Sequence, residues 1–221
     1  ARRWEGISLT RSGCRYSAAP PERKSAADAR DCRRFRAGVR RWLADRPSVR
    51  TVFLSNHVGG FEDPARFAKT VAGARAAIEA LPKSVTRVYV LRDVPRDGYR
   101  TADCVTRALR KGRPAGPACS LSRRWALPPD ATVIGARRAQ RRGVHVLDLA
   151  RRFCDAKRCY PVVGGALVHN DVEPLTDTFS TTLGPVQLGR QDALERGAPG
   201  PCSRGAARSC RVGGASAPTA R

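Results

Sequence analysis

Methionine is absent from this chain of 221 residues, and aromatic residues make up only 6% of it. A chain that begins with Ala1 and has no methionine is expected to be a processed product, an excised domain or a fragment. No apolar run approaches the ~20 residues that a membrane-spanning helix needs. The hydrophobic fraction of 41%, with 20 Gly and 16 Pro, predicts a globular, loop-rich protein long enough for one buried domain.

Acidic residues are few, with 19 Asp and Glu against 42 Lys and Arg, and the formal net charge is +23. Such a charge attracts nucleic acid, because cationic side chains release counterions from phosphates. The positive residues are nevertheless scattered through every segment, and the few aromatics form no stacking platform. No zinc-finger or RNA-recognition pattern is present either. We therefore predict no specific nucleic-acid partner and attribute the Arg richness to codon composition.

Eight cysteines are spread along the chain. An even number of this kind indicates disulfides and an oxidising compartment outside the cytoplasm. A zinc site is the alternative, but the sequence lacks the short Cys-x-x-Cys knuckles or Cys/His clusters of such sites. We predict no metal. Pairing of neighbours would give Cys14–Cys32, Cys104–Cys119 and Cys154–Cys159, although the sequence alone leaves the connectivity open.

Short apolar runs alternate with amphipathic segments along the chain. This alternation predicts a three-layer α/β/α sandwich with a mainly parallel sheet. The predicted strands are residues 6–10, 49–55, 87–91 and 144–147, with a hairpin of residues 160–163 and 166–168. The predicted helices are residues 28–45, one from Asp63-Pro64 to Pro82, one of about ten residues after Cys104, residues 130–141, and one after Leu175. We assign residues 1–187 to this domain and residues 188–221, rich in Arg, Gly, Pro and Ala, to a flexible tail.

Three stretches of the sequence together resemble a known family. They are residues 6–14 (GISLTRSGC), residues 91–96 (LRDVPR) with Cys104 downstream, and residues 154–183, where paired cysteines precede a glycine-containing hairpin and a closing helix. Their order and spacing are similar to the SGNH domain that follows the membrane part of acyltransferase 3 proteins. The resemblance covers residues 1 to about 187 and implies an SGNH hydrolase or flavodoxin-like fold that is incomplete at its N-terminus.

The resemblance implies nucleophilic acyl transfer without a cofactor, in which a Ser attacks a carbonyl, a His takes its proton and an Asp orients the His. The family's Gly-Asp-Ser block would lie before Ala1. Its Asp-x-x-His motif corresponds to residues 171–174, where this chain has Asp171 but carries Pro174 in place of the base. Proline cannot exchange a proton. The carried-over roles are therefore Asp171 as the orienting acid and Gly13 and Asn56 as oxyanion donors.

Several candidates also have a plainer interpretation. Asn56 and His57 end a central strand, where ligand sites gather in open α/β sheets, but they also fit a loop-capping role. Gly13 fits a turn that needs a positive φ angle as well as an oxyanion role. Asp171 fits a helix cap. His169 is two residues from Asp171 and is a conceivable replacement base, although a place on the hairpin surface is favoured.

The leading functional hypothesis is an acyltransferase or esterase domain that O-acylates cell-envelope glycans and is incomplete or inactive as written, so its status as an enzyme stays open. Its expected partners are a membrane acyltransferase domain of the same polypeptide, which would tether it on the extracytoplasmic face, and a glycan acceptor. The alternative is a non-catalytic domain of the same fold that binds a glycan or another protein. An Arg-rich nucleic-acid binder ranks last.

Overall fold

The computed structural model describes residues 5–21, 25–58, 63–170 and 175–196. Its centre is a sheet of three parallel strands in the order β1-β2-β4, where β1 is Thr51–Ser55, β2 is Arg87–Leu91 and β4 is Val144–Leu147. The register places Ser55 beside Leu91 and Leu91 beside Leu147. The parallel sheet predicted from the apolar runs is confirmed, and β2 and β4 have the predicted bounds.

Helices cover both faces of the sheet. The side chains of β2 alternate between the two faces of the sheet, so that Val88 and Val90 face one side and Tyr89 faces the other. Val88 and Val90 belong to a core cluster with Leu43, Ile78 and Val133. These three residues come from α1 (Ala26–Ala44), α2 (Pro64–Glu79) and α6 (Ala131–Arg138).

The opposite face of the sheet meets the C-terminal helix α7, Asp177–Glu195. Tyr89 is fully buried there, and its hydroxyl donates a hydrogen bond of 2.9 Å to Glu195 Oε1. Gln191, one turn earlier, is also buried. The predicted three-layer α/β/α arrangement therefore has α1, α2 and α6 on one side and α7 on the other.

A second core lies beside the sheet. Phe153 and Phe179 meet there with their ring centroids 5.3 Å apart, among Ala126, Val168 and Leu183. Short elements surround it, namely β3 (Leu121–Ser122), α5 (Arg123–Ala126), a 3-10 turn at Ala150–Arg152, β5 (Arg158–Cys159), β6 (Val162–Val163) and β7 (Ala166–Leu167). The helices α3 (Thr101–Arg110) and α4 (Ala115–Ala118) pack on each other in a separate small cluster. Strands β3 and β5 pair antiparallel, and so do β6 and β7.

Three disulfides close local segments: Cys14–Cys32, Cys104–Cys119 and Cys154–Cys159. They are the three pairs that pairing of neighbours gives. Cys202 and Cys210 lie outside the described residues. Each disulfide joins a loop to an adjoining element, so the irregular segments are restrained covalently where they have few backbone hydrogen bonds.

Two predicted elements differ from the structure. Residues 6–10 form no strand, and Ile7 and Leu9 remain 62% and 40% exposed. The alternation of apolar residues was misleading because a strand forms only where a neighbouring strand supplies hydrogen bonds, and in the described part of the chain β1 pairs with β2 alone.

The last helix continues to Glu195, beyond the predicted end of the domain at residue 187. The Arg, Gly, Pro and Ala content of residues 188–221 suggested an earlier end. Burial of Gln191 and the Tyr89–Glu195 hydrogen bond accompany the continuation of the helix. The flexible tail stays a prediction, since residues 197–221 lie outside the described part. Within the described ranges, no helix is both long and apolar enough to cross a membrane.

Replacement of Gly135 by Ala tests the close contact of α2 with α6. A Cβ atom at this position would lie 2.9 Å from Ala74 Cβ and from the main-chain atoms Val71 O and Arg75 N. We expect Gly135→Ala to lower the free energy of unfolding by about 1–3 kcal/mol through overpacking. The control is Gly38→Ala in α1, where a Cβ meets nothing within 4 Å.

The control should gain about 0.5–1 kcal/mol from its higher helix propensity. Urea unfolding of both variants without reductant measures the two effects. Equal stabilisation of both variants would contradict the close helix contact.

Candidate functional site

Two loops meet at the carboxyl edge of the parallel sheet, which is where ligand sites of open α/β folds gather. One loop contains Asn56, His57 and Val58 after β1, and the other begins at Asp93 after β2. Since Ser55 is the register partner of Leu91, His57 and Asp93 each stand two residues beyond a paired position. The structure thus places the predicted pair Asn56 and His57 at this edge, next to Asp93.

Asn56 connects three segments through its side chain. Its Nδ2 donates to Thr132 Oγ1 at 3.0 Å, and its Oδ1 accepts from the Tyr16 amide at 3.4 Å. The loop after β1 is thereby joined to the first turn of α6 and to the segment after Gly13. An amide nitrogen carries two hydrogens, so Asn56 retains one donor for a ligand.

The carboxyl group of Asp93 accepts hydrogen bonds from the main chain on both sides of the site. Its Oδ2 accepts a hydrogen bond of 2.6 Å from the Val58 amide, and its Oδ1 accepts one of 3.0 Å from the Val94 amide. Burial raises the pKa of the Asp93 carboxyl, and the hydrogen bond from Val58 and the nearby His57 partly oppose this rise. The carboxyl is therefore fixed in place although its charge is poorly solvated.

A second acidic side chain, that of Asp130, is buried and binds the main chain of Asp93. Asp130 Oδ2 accepts from the Asp93 amide at 3.3 Å, while Oδ1 caps α6 by accepting from the amides of Thr132 and Val133 at 2.8 and 3.1 Å. The start of α6 and the turn after β2 are consequently held by one side chain. This cap was expected from the sequence only as the beginning of a helix.

The imidazole of His57 faces the carboxyl group of Asp93. Its Nδ1 lies 3.6 Å from Asp93 Oδ2, and its side chain is 53% exposed. The imidazole lines a small cavity together with Arg15, Phe67 and Pro129, and this cavity has room for about one water molecule. From the sequence, Asp93 was noted only as part of the LRDVPR stretch. Its pairing with His57 was not predicted, because it depends on the register of β1 against β2.

Gly13 lies in an exposed turn with a φ angle of 60°, in which the Cys14 amide donates to Arg11 O at 3.2 Å. Gly13 therefore lies in a turn with a positive φ angle, as the plainer interpretation expects. The Cys14–Cys32 disulfide ties the turn to α1, and three residues after Gly13 the Tyr16 amide contacts Asn56. Gly13 and Asn56 thus belong to connected segments, while their oxyanion role stays a prediction.

The other two histidines lie elsewhere. His145 is stacked on Tyr89 with ring centroids 5.4 Å apart, and burial lowers its pKa. His169 is only 5% exposed, with Nδ1 at 3.3 Å from Asp97 Oδ2, so the favoured place on the hairpin surface is wrong. The hairpin turns inward there because the Val168 amide pairs with Pro161 O and the bridge to Leu175 closes over it.

The predicted acid Asp171 and the substituted base position Pro174 lie outside the described residues. Their roles stay predictions. Within the part that the structure describes, no group of three metal-ligating side chains is gathered.

Replacement of Asp93 by Asn tests the burial of its charge. A carboxyl whose pKa is raised by folding stabilises the protein below its ordinary pKa, and this contribution is lost as the pH rises through the folded value. We expect the stability of Asp93→Asn, relative to the wild type, to increase between about pH 3 and pH 7. Urea unfolding at several pH values measures this difference.

Glu79→Gln is the control with the opposite sign. The Gln140 amide and Arg75 lower the pKa of Glu79, so its contribution is present above the ordinary pKa and lost on acidification. Relative to the wild type, Glu79→Gln should therefore become less stable as the pH rises. The same trend in both variants would refute the assigned burial of Asp93.

The comparisons with known proteins agree with this fold. A family model described as the SGNH domain fused to AT3 domains matches residues 1–186. Among solved structures, the periplasmic domain of a lipopolysaccharide acetyltransferase from Salmonella ser. Paratyphi A superimposes with a TM-score of 0.55 at 13% sequence identity. The match covers 81% of this chain and 69% of that one, and at this identity it shows the fold alone.

No curated protein matches the sequence. The family model, however, spans far more than half of the 221 residues. Its range includes the Gly13 turn, the Asn56-His57 loop, the Asp93 turn and the first half of α7. This chain therefore belongs to the family of SGNH domains that are fused to AT3 domains.

Proposed function

We propose that this domain takes part in the O-acylation of cell-envelope glycans, alongside a membrane acyltransferase domain of the same polypeptide. The observation that carries the proposal is the family match over residues 1–186, whose description names fusion to AT3 domains. The structural neighbour is named a lipopolysaccharide acetyltransferase, which supports a glycan as the acceptor.

An extracytoplasmic location belongs to the same proposal. Three disulfides in the described residues fit an oxidising compartment, since thiols are kept reduced in the cytoplasm. The structural neighbour is a periplasmic domain. A glycan of the cell envelope is accessible on that side of the membrane.

Asn56 is the residue we assign to the oxyanion of the acyl-transfer transition state, with the Gly13 amide as the second donor and Asp171 as an orienting acid. The support for Asn56 is its place at the carboxyl edge of the sheet and its amide, which is fixed by Thr132 and Tyr16 and keeps one hydrogen. A donor fixed before the reaction stabilises developing negative charge at little reorganisation cost.

A second candidate function is a non-catalytic domain of the same fold that binds a glycan or another protein. Pro174 favours it, because it stands where the family resemblance expects the general base. Under this alternative the purified chain should not react with a fluorophosphonate probe. Labelling of a serine would exclude the alternative.

The variant Asn56→Asp tests the proposed function. Aspartate keeps the acceptor for the Tyr16 amide and can accept from the Thr132 hydroxyl, but it offers no donor and repels an oxyanion. We expect acylation of the envelope glycan to fall by on the order of 10²–10³-fold. The measurement is mass spectrometry of ester-linked acyl groups on glycan from cells that express the full-length gene product.

The control variant is Gln140→Glu, the same change of amide to carboxyl at an exposed position past the far end of α6. Its glycan should be acylated as in the wild type. Unchanged acylation in cells that lack the domain altogether would overturn the proposed function.

A further inference from the structure

We propose that His57, oriented by Asp93, is a general base for acyl transfer in this domain. The inference rests on the proposed function, since it assigns a residue to that reaction. It starts from a contact at the carboxyl edge of the sheet, where His57 Nδ1 faces Asp93 Oδ2 at 3.6 Å. A histidine with a carboxylate behind it is the arrangement that accepts a proton from an attacking hydroxyl.

The backbone fixes the carboxylate behind the imidazole. The same oxygen of Asp93 that faces His57 also accepts from the amide of the next residue, Val58, at 2.6 Å. The second oxygen is fixed by the Val94 amide. With the Asp93 carboxylate facing Nδ1, the proton of a neutral imidazole is favoured on Nδ1, and Nε2 keeps its lone pair for an incoming proton.

The imidazole is also accessible. Its side chain is about half exposed, and it lines the cavity with room for about one water molecule. The other charged groups that line this cavity are Arg15 and Asp130. The carboxylate of Asp130 already accepts hydrogen bonds from the amides of Thr132 and Asp93. The guanidinium of Arg15 is positively charged, so it favours an acyl group whose carbonyl oxygen becomes negative.

The other two histidines of the sequence are less suited to this role. His145 is stacked on Tyr89 within β4. His169 faces Asp97, but its side chain is buried, so its ring nitrogens are shielded from solvent. His57 is thus the histidine whose ring combines a carboxylate partner with substantial exposure.

The proposed step balances with an acyl ester as donor and a hydroxyl group as acceptor. The acceptor oxygen bonds to the acyl carbon while His57 Nε2 takes its proton. The bond between the acyl carbon and the leaving oxygen then breaks, and the imidazolium returns the proton to that oxygen. This step uses the imidazole of His57 as the base, so it does not depend on the residue at position 174.

The test uses the 221-residue chain with p-nitrophenyl acetate as donor and water as acceptor, in ordinary and in heavy water. For the wild type we expect ester hydrolysis that slows in heavy water, because the base takes a proton from the attacking water. His57→Gln should lower the rate by on the order of 10²-fold and weaken this slowing. Asp93→Asn should cause a smaller loss, because it disturbs the orientation of the imidazole and leaves the base present.

The matched control is His145→Gln, the same substitution at a histidine away from the cavity, which should keep the wild-type rate and its slowing in heavy water. Circular dichroism establishes that each variant is folded. A wild-type chain that hydrolyses no ester, or a His57→Gln variant as active as the wild type, would overturn the assignment of His57. An acetyl group found on His57 in the quenched reaction would overturn it as well, since His57 would then be a nucleophile.

These outcomes are separable from the proposed function. Acylation of envelope glycan in cells tests the domain as a whole, through Asn56→Asp and the domain deletion. A His57→Gln protein that acylates glycan normally would reject the base and leave the proposed function in place. If the domain deletion abolishes acylation and His57→Gln acylates normally, the base assignment is rejected and the proposed function is kept.

Discussion

The turn that follows β2 is the constraint on which the rest of this structure depends. Its first residue, Asp93, binds the loop after β1 through the Val58 amide and reaches α6 through Asp130. Three residues later, the Arg96 amide donates to Ala126 O, and its guanidinium lies 4.2 Å from the centroid of the Trp125 ring. At its end, Asp97 faces the buried His169. One short segment thus connects the sheet with the second core, and the candidate site is part of that connection.

The arginines explain how so positive a chain folds without an acidic counterpart for each charge. Arg141 donates to three carbonyl oxygens, those of Leu81, Pro82 and Val85, at 2.5 to 2.7 Å. Arg36 donates to the carbonyls of Arg15 and Ala19. A guanidinium has five N–H donors in a planar fork, so it can satisfy loop carbonyls that no secondary structure satisfies. Arg36 and Arg141 therefore have a structural use, which accounts for part of the charge without a nucleic-acid partner.

The elements that the sequence predicted well are those whose formation depends on residues close together in the chain. The Asp63-Pro64 start of α2 follows from a side-chain cap and a fixed φ angle, and β2 and β4 follow from β-branched runs between turns. Elements that depend on distant partners were predicted poorly. Residues 6–10 have the composition of a strand but no pairing in the described part, and α7 extends because Tyr89 and Glu195 meet across 106 positions.

The candidate site divides in the same way. Asn56 and His57 were identified because they follow a strand of a parallel sheet, which is a rule about topology. The pairing of His57 with Asp93 depends on the register of β1 against β2. These strands are covered on both faces and joined through a helix, so neither an alternating pattern nor a tight turn indicates their register. The burial of His169 likewise needed the second core to be assembled.

The length of α7 decides where this chain can be truncated without exposing the sheet. The family model ends at residue 186, in the middle of a helix that runs from Asp177 to Glu195. A chain trimmed to the family limits would lose Gln191 and Glu195 and would open the face of the sheet that holds Tyr89. The boundary that sequence similarity detects thus falls inside the helix that covers this face of the sheet, and that helix ends at Glu195.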